Sequence, residues 1–156
     1  MIKTKHFFNL PTSVQSIFNN GYITELNPKI DTTGNRSIVY ELYNFNLIFK
    51  QLTDKSRRDS DIGALLDLDG INYFPRLYCY KEEDYLVMDK VSGERLSKLL
   101  EHKNISNKDL CLIKCQYLDA VNQALHRNRY DWDMKLDHFY WDKEKKHLML
   151  IDFGFI

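Results

Sequence analysis

Apolar positions recur along this chain with two different periods, and the alternation between them outlines its organisation. Ser37-Ile38-Val39-Tyr40-Glu41-Leu42 and Phe45-Asn46-Leu47-Ile48-Phe49-Lys50-Gln51-Leu52 are short runs rich in β-branched and aromatic residues, separated by Tyr43-Asn44. Such runs read as strands joined by a turn. Tyr22-Ile23-Thr24-Glu25-Leu26 is a further strand candidate, followed by a turn-rich stretch from Asn27 to Arg36; the three strands form an antiparallel meander. Gly70 to Tyr80 leads into a fourth strand, Lys81-Glu82-Glu83-Asp84 is a charged turn, and Tyr85-Leu86-Val87-Met88 is a fifth strand.

Helical spacing takes over elsewhere. Pro11-Thr12-Ser13 starts a short helix with Val14, Ile17 and Phe18 on one face, ending near Asn19-Asn20-Gly21. Asp54 to Leu68 is helical by pattern, with Ile62, Leu65, Leu66 and Leu68 apolar, and Leu96 to Leu100 begins another short helix. Ser106-Asn107-Lys108-Asp109 resembles a capping box. The helix after it carries Leu110, Ile113, Tyr117, Val121 and Ala124 at steps of 3, 4, 4 and 3, a clear amphipathic face. Leu112 and Leu118 lie off that face. Cations at His126, Arg127 and Arg129 suit its C-terminal end. Beyond it, a charged stretch from Tyr130 to Asp142 and a turn precede the apolar strand before Asp152-Phe153-Gly154.

Composition narrows the class. A chain of 156 residues, 44% hydrophobic and 28% charged, fits one soluble globular domain. The formal net charge of zero provides no general basic field for nucleic acid. Three cysteines, an odd number, argue against a disulfide framework. Cys111 and Cys115 are one helical turn apart, but no second close-spaced pair completes a zinc site, so core packing is the expected role. The N-terminal residues lack the apolar run of a signal peptide, and no span reaches membrane-helix length. The expected location is a cytoplasm, that of a host cell if the protein is delivered there.

The candidate chemistry lies in an ordered series of residues. Lys50 closes Leu47-Ile48-Phe49-Lys50; Asp61-x-x-x-Leu65-x-x-Leu68 follows on the next helix; Phe74-Pro75-Arg76-Leu77-Tyr78 comes next. Tyr85-Leu86-Val87-Met88 then runs into Asp89-Lys90-Val91-Ser92-Gly93-Glu94-Arg95-Leu96. Asp133-x-Lys135 precedes His138, and Asp152-Phe153-Gly154 stands 19 positions after Asp133. Taken singly, each has a plainer reading: an edge lysine, a solvated helix face, a polar hairpin. Their order resembles the protein-kinase catalytic core over roughly residues 22 to 154, and the chain is similar to compact bacterial effector kinases and to the small kinase of the tRNA-modifying KEOPS complex.

The resemblance implies an α+β, protein-kinase-like fold: a five-stranded antiparallel N-lobe sheet with one helix, plus a much-reduced helical C-lobe. It implies one kinase-like domain over 1–156, with the N-lobe at about 1–88, a hinge at 89–93 and a truncated C-lobe at 94–156. The implied activity is ATP-dependent transfer of the γ-phosphoryl group to Ser or Thr of a protein, with Mg²⁺ or Mn²⁺. Asp133 would act as base and Lys135 as phosphoryl clamp. Lys50 would hold the α- and β-phosphates, paired with Asp61 where kinases use Glu, and Gly34 would sit in the loop over the phosphates. The backbone of Asp89 and Val91 would meet the adenine edge, and Met88 would guard the space behind it. Asp152 and His138 would hold the metal.

Four departures qualify that picture. A single Gly34 stands in place of a Gly-rich loop. Asp131 and Trp132 replace the His-Arg before the base, so no activation-loop phosphate is expected to be needed. His138 replaces an Asn, placing nitrogen where a hard cation prefers oxygen. Only Phe155-Ile156 follow Gly154, so the resemblance includes no activation segment and no later C-lobe helices. The expected partner is a folded protein, or a second copy, met through the reduced C-lobe; neither nucleic acid nor membrane is expected. A pseudokinase serving as a binding module and a small-molecule phosphotransferase are the alternatives.

Overall fold

The computed structural model describes residues 1–23, 29–31, 37–53, 61–129 and 134–152. They form two compact units: residues 1–62 with 76–90, and residues 63–75 with 91–156. The chain passes from the first to the second after Ile62, returns at Arg76 and passes again after Lys90.

The first unit is built on an antiparallel sheet. Its strands are β1 (Ile2–Lys3), β2 (Lys29–Asp31), β3 (Ser37–Leu42), β4 (Leu47–Leu52), β5 (Leu77–Lys81) and β6 (Tyr85–Asp89). Their spatial order is β1-β5-β6-β4-β3-β2. The four strands β3 to β6 stand where strands were expected, and β1 adds a two-residue edge beyond β5 that the sequence pattern does not announce. β2 lies inside the stretch read as turn rather than at the strand expected over Tyr22–Leu26; residues 24–26 of that strand, and Gly34, lie outside the described residues, and Tyr22 and Ile23 are not in a strand. β3 and β4 pair in unbroken register from Ser37↔Leu52 to Leu42↔Leu47. The turn joining them is tight because Asn46 accepts a left-handed φ of 51°, which Asn tolerates better than most residues.

Alternation in β4 sorts its side chains. Leu42, Leu47, Phe49, Cys79 and Val87 form one buried face, covered by Phe7, Leu10 and the helix α1 (Thr12–Asn20), which contributes Val14 and Phe18. α1 stops where the pattern predicts, at Gly21, whose φ of 75° forms a left-handed C-cap. Ile48 and Lys50, half-buried, belong to the opposite set of the alternation.

The second unit holds α2 (Ile62–Asp67, all but its first residue), β7 (Glu94–Arg95), α3 (Leu96–Glu101), α4 (Asn107–Leu125), β8 (Phe139–Asp142) and β9 (His147–Leu150). The three strands form a small antiparallel sheet in the order β7-β8-β9. Gly93, at φ 96°, allows β7 to enter it: a Cβ there would overlap the carbonyl of Trp141. α4 begins at Ser106, whose hydroxyl accepts from the amide of Asp109. No helix among the described residues is long and apolar enough to cross a membrane.

One buried polar cluster pins the hairpin to α4. Asp109 is only 5% exposed, and its carboxylate accepts from Lys146 Nζ at 3.0 and 3.1 Å and from Trp141 Nε1 at 3.4 Å. Gln116 adds two hydrogen bonds, donating to the carbonyl of Lys146 and accepting from the amide of Leu148. Of the cysteines, Cys79 is buried as expected, whereas Cys111 and Cys115 are exposed on α4 rather than packed in a core. The main apolar stripe absorbed the inward face, so residues a quarter-turn or more away face outward.

The hydrogen bond from Lys146 holds the Asp109 carboxyl below its ordinary pKa, against the opposing effect of burial. Stability from this group is therefore present above the unfolded-state pKa near 4 and is lost as pH falls through the lower folded-state value. Asp109→Asn is expected to lower the melting temperature at pH 7 and to flatten the decline on acidification below about pH 4. Thermal melts of both proteins from pH 7 to pH 2.5 check this; parallel curves would contradict it.

Candidate active site

The first unit positions Lys50. It lies on β4, an inner strand, opposite Val39 of β3 and Leu86 of β6. Its Nζ donates to Asp61 Oδ2 at 2.5 Å. The two side chains are 15% and 3% exposed, so this is a charge pair with little water around it. Asp61 immediately precedes α2, which begins at Ile62. The expected helix from Asp54 is thus described only from Ile62 to Asp67, and residues 54–60 lie outside the described residues. Asp in place of Glu still reaches the lysine.

Asp89 ends β6. Its carboxylate accepts from the amide, Nε and Nη2 of Arg76 at 2.8, 2.8 and 3.1 Å, and from Tyr78 Oη at 2.7 Å. The backbone amide of Asp89 donates to the carbonyl of Arg76 at 3.1 Å. The side chain therefore belongs to the strand junction. Burial and the Asp89 hydrogen bond both raise the Tyr78 phenol, and the same carboxylate raises the Arg76 guanidinium. Neither Arg76 nor Tyr78 stands out in the sequence as an Asp89 partner. No local signal marks them, because Arg76 precedes β5 and the pairing of β5 with β6 shifts register between Leu77 and Cys79. The next residue, Lys90, pairs with Glu41 and donates its amide to the carbonyl of Asn46 at 2.8 Å.

The second unit positions His138 and Asp152. Pairing of Phe139 with Leu150 sets the register of the β8–β9 hairpin, and the Ile151 amide continues it by donating to the His138 carbonyl at 3.0 Å. His138 Nε2 consequently lies 3.3 Å from Asp152 Oδ2. Asp152 has a left-handed φ of 65°, a conformation that Asp tolerates better than most side chains and one worth explaining wherever it occurs. His138 is mostly covered, at 16% exposed, while Asp152 is open at 47%. Lys135 is exposed and caps the short 3-10 turn Leu136–His138, whose last amide bonds back to its carbonyl at 2.9 Å. Val91 is half-buried at the start of this unit. Asp133 lies outside the described residues, as do Asp131, Trp132, Phe153 and Gly154.

The expected residues therefore form two described pairs, Lys50 with Asp61 and His138 with Asp152. No group of three or more His, Cys, Asp or Glu residues suited to a metal occurs among the described residues. A cation bound by the second pair would need further oxygens from elsewhere.

No protein-family model matches the chain, and no curated sequence does. Solved structures do match. The crystal structure of Rad53 1-466 in complex with AMP-PNP superposes with a TM-score of 0.60 over 81% of this chain, at 20% sequence identity. The fold is protein-kinase-like. The chain spans 37% of that structure's length.

Asp61→Asn is expected to destabilise the protein by about 3 kcal/mol, because it removes the carboxylate 2.5 Å from a mostly buried ammonium. Lys50→Met combined with Asp61→Leu should recover most of that loss. Urea unfolding of the single and double variants measures both; equal stabilities for all three proteins would contradict a buried, coupled pair.

Proposed function

We propose that this chain is the ATP-binding and phosphoryl-transferring core of a protein kinase that acts on Ser or Thr. The observation carrying this reading is the Lys50–Asp61 pair on a kinase-like sheet. Such a pair contributes little net stability, since desolvation offsets attraction; its consequence is to hold one ammonium at a fixed point. In the kinase reading that ammonium neutralises the α- and β-phosphates. The AMP-PNP of the Rad53 complex supports the same assignment by likeness of fold.

The remaining roles follow the same reading. The Asp89 amide is already bonded to Arg76, so an adenine edge would meet the carbonyl of Asp89 and the backbone of Val91. Gly34 would lie in the loop over the phosphates. Asp152 and His138 would share the divalent cation with phosphate oxygens. Their Nε2 and Oδ2 lie 3.3 Å apart, which puts one nitrogen and one oxygen donor side by side. The mixed nitrogen and oxygen set suits Mn²⁺ at least as well as Mg²⁺. The cation would neutralise charge on the transferring group. Asp133 would accept the proton of the substrate hydroxyl as its oxygen bonds to the γ-phosphorus and the bond to the β-phosphate oxygen breaks, releasing ADP. Lys135, exposed and two positions later in the chain, would balance charge on the phosphoryl oxygens.

A second reading is favoured by one contact. The Asp152 carboxylate already faces a histidine, and a pseudokinase would keep that pair in place of a metal. The experiment separating the two is transfer of label from ATP with Mg²⁺ or Mn²⁺ to the protein itself and to a lysate. Transfer lost in Asp152→Ala, and reduced by about 10²–10⁴ in Asp133→Asn with nucleotide binding intact, is the kinase result. No transfer with either metal at millimolar ATP supports the binding module.

A further inference from the structure

The long helix α4 has a second face that its own fold does not use. Asp109, Ile113, Ala120 and Ala124 are the buried residues of α4. About half a turn round the helix, at 3.6 residues per turn, lie Cys111, Cys115, Leu118, Asn122 and Leu125, all exposed. Leu118 is 66% exposed and Leu125 48%. These five succeed one another at steps of 4, 3, 4 and 3. That is the a/d spacing of a two-stranded coiled coil, with Cys111, Leu118 and Leu125 at d and Cys115 and Asn122 at a. The seam runs opposite the buried face, so it is not the by-product of an inward stripe.

We propose that α4 pairs with α4 of a second copy of this chain, in parallel and about a two-fold axis along the helices. Two features argue for self-pairing in that direction. A parallel pair sets a against a and d against d, so Asn122 meets Asn122 and the two side-chain amides bond each other. Asn at a single a position is a common device for fixing two strands in one register. The charges flanking the seam are self-complementary: Lys114 at g lies beside Asp119 at e of the other copy, five positions on, and the contact occurs twice. Asp119 Oδ2 already accepts from Tyr73 Oη at 2.8 Å and Gln123 Nε2 at 3.0 Å, but a carboxylate has about four acceptor sites. An antiparallel pair would instead oppose Asn122 to a d residue and bring the two Asp119 side chains together. Leu112 at e and Val121 at g, both half-buried, widen the apolar strip. Lys108, at the a position one heptad before Cys115, ends it.

This proposal stands independently of the kinase reading, and its test uses no nucleotide. Sedimentation of the full chain over a concentration series in reducing buffer should show a weight-average mass rising toward that of two chains. Leu118→Lys should weaken the association on the order of tenfold or more, and Lys114→Glu should weaken it less. Asn122→Leu should act in the opposite sense, tightening association and admitting larger oligomers. These positions are exposed, so circular dichroism should show the variants folded. The register is read by oxidation with diamide, which takes up the two electrons and two protons of each disulfide formed. Cys111→Ser should cross-link through Cys115, and Cys115→Ser through Cys111. Burial pushes the Cys79 thiol up to about 12 and keeps it out of the exchange. A monomer at every concentration overturns the proposal, as does a dimer insensitive to Leu118→Lys and Asn122→Leu. A dimer in which neither single-serine variant cross-links overturns the parallel register.

Discussion

A lysine on an inner strand of a sheet needs a counter-charge, and much of the first unit is arranged around supplying one. Lys50 lies between β3 and β6 with its ammonium 2.5 Å from Asp61. The strand fixes the lysine stem, and the chain leading into α2 brings the carboxylate. Replacing such a pair by apolar side chains commonly costs nothing and can raise stability. Its presence is therefore poorly explained by stability and well explained by a need for a positioned cation. Desolvated charges of this kind concentrate at functional sites.

The second unit solves a different problem. Its hairpin β8–β9 must present His138 and Asp152 side by side, and a hairpin with little sheet beside it is weak alone. Asp109, Lys146 and Trp141 lock it to α4, with Gln116 bonding the turn and the strand that follows. The carboxylate at the base of this cluster sits in the first turn of α4, where the helix dipole also favours negative charge. Buried polar atoms here are paired, as a specific structure requires. The same helix thus anchors the hairpin on one side and leaves a heptad seam on the other.

Much of this was legible in the sequence, for identifiable reasons. The alternation of β3 and β4, the Gly21 stop of α1 and the Ser106 cap of α4 are local signals, and each element formed where its signal stood. Lys50 with Asp61, and His138 with Asp152, were legible through motif order. The two-residue strands β1 and β7 were not, because Ile2–Lys3 and Glu94–Arg95 are too short to show a period and exist only through their partners. The capture of the Asp89 side chain by Arg76 and Tyr78 depends on which strands become neighbours, which no local pattern reports. Cys111 and Cys115 were expected in a core because cysteine is usually buried. Their outward position follows from which stripe of α4 the fold took inward, a choice made by the packing of the hairpin.

The central claim is that both described pairs respond to nucleotide, Lys50 with Asp61 to its phosphates and His138 with Asp152 to the metal it carries. The direct measurement is a backbone and side-chain NMR titration of the protein with AMP-PNP, with and without Mn²⁺-free Mg²⁺. The account predicts saturable shifts of the Lys50 ammonium and of the Asp89 to Val91 amides, with His138 and Asp152 responding only when the metal is present. Saturable binding that moves neither Lys50 nor Asp152, or no binding at millimolar nucleotide, would contradict it.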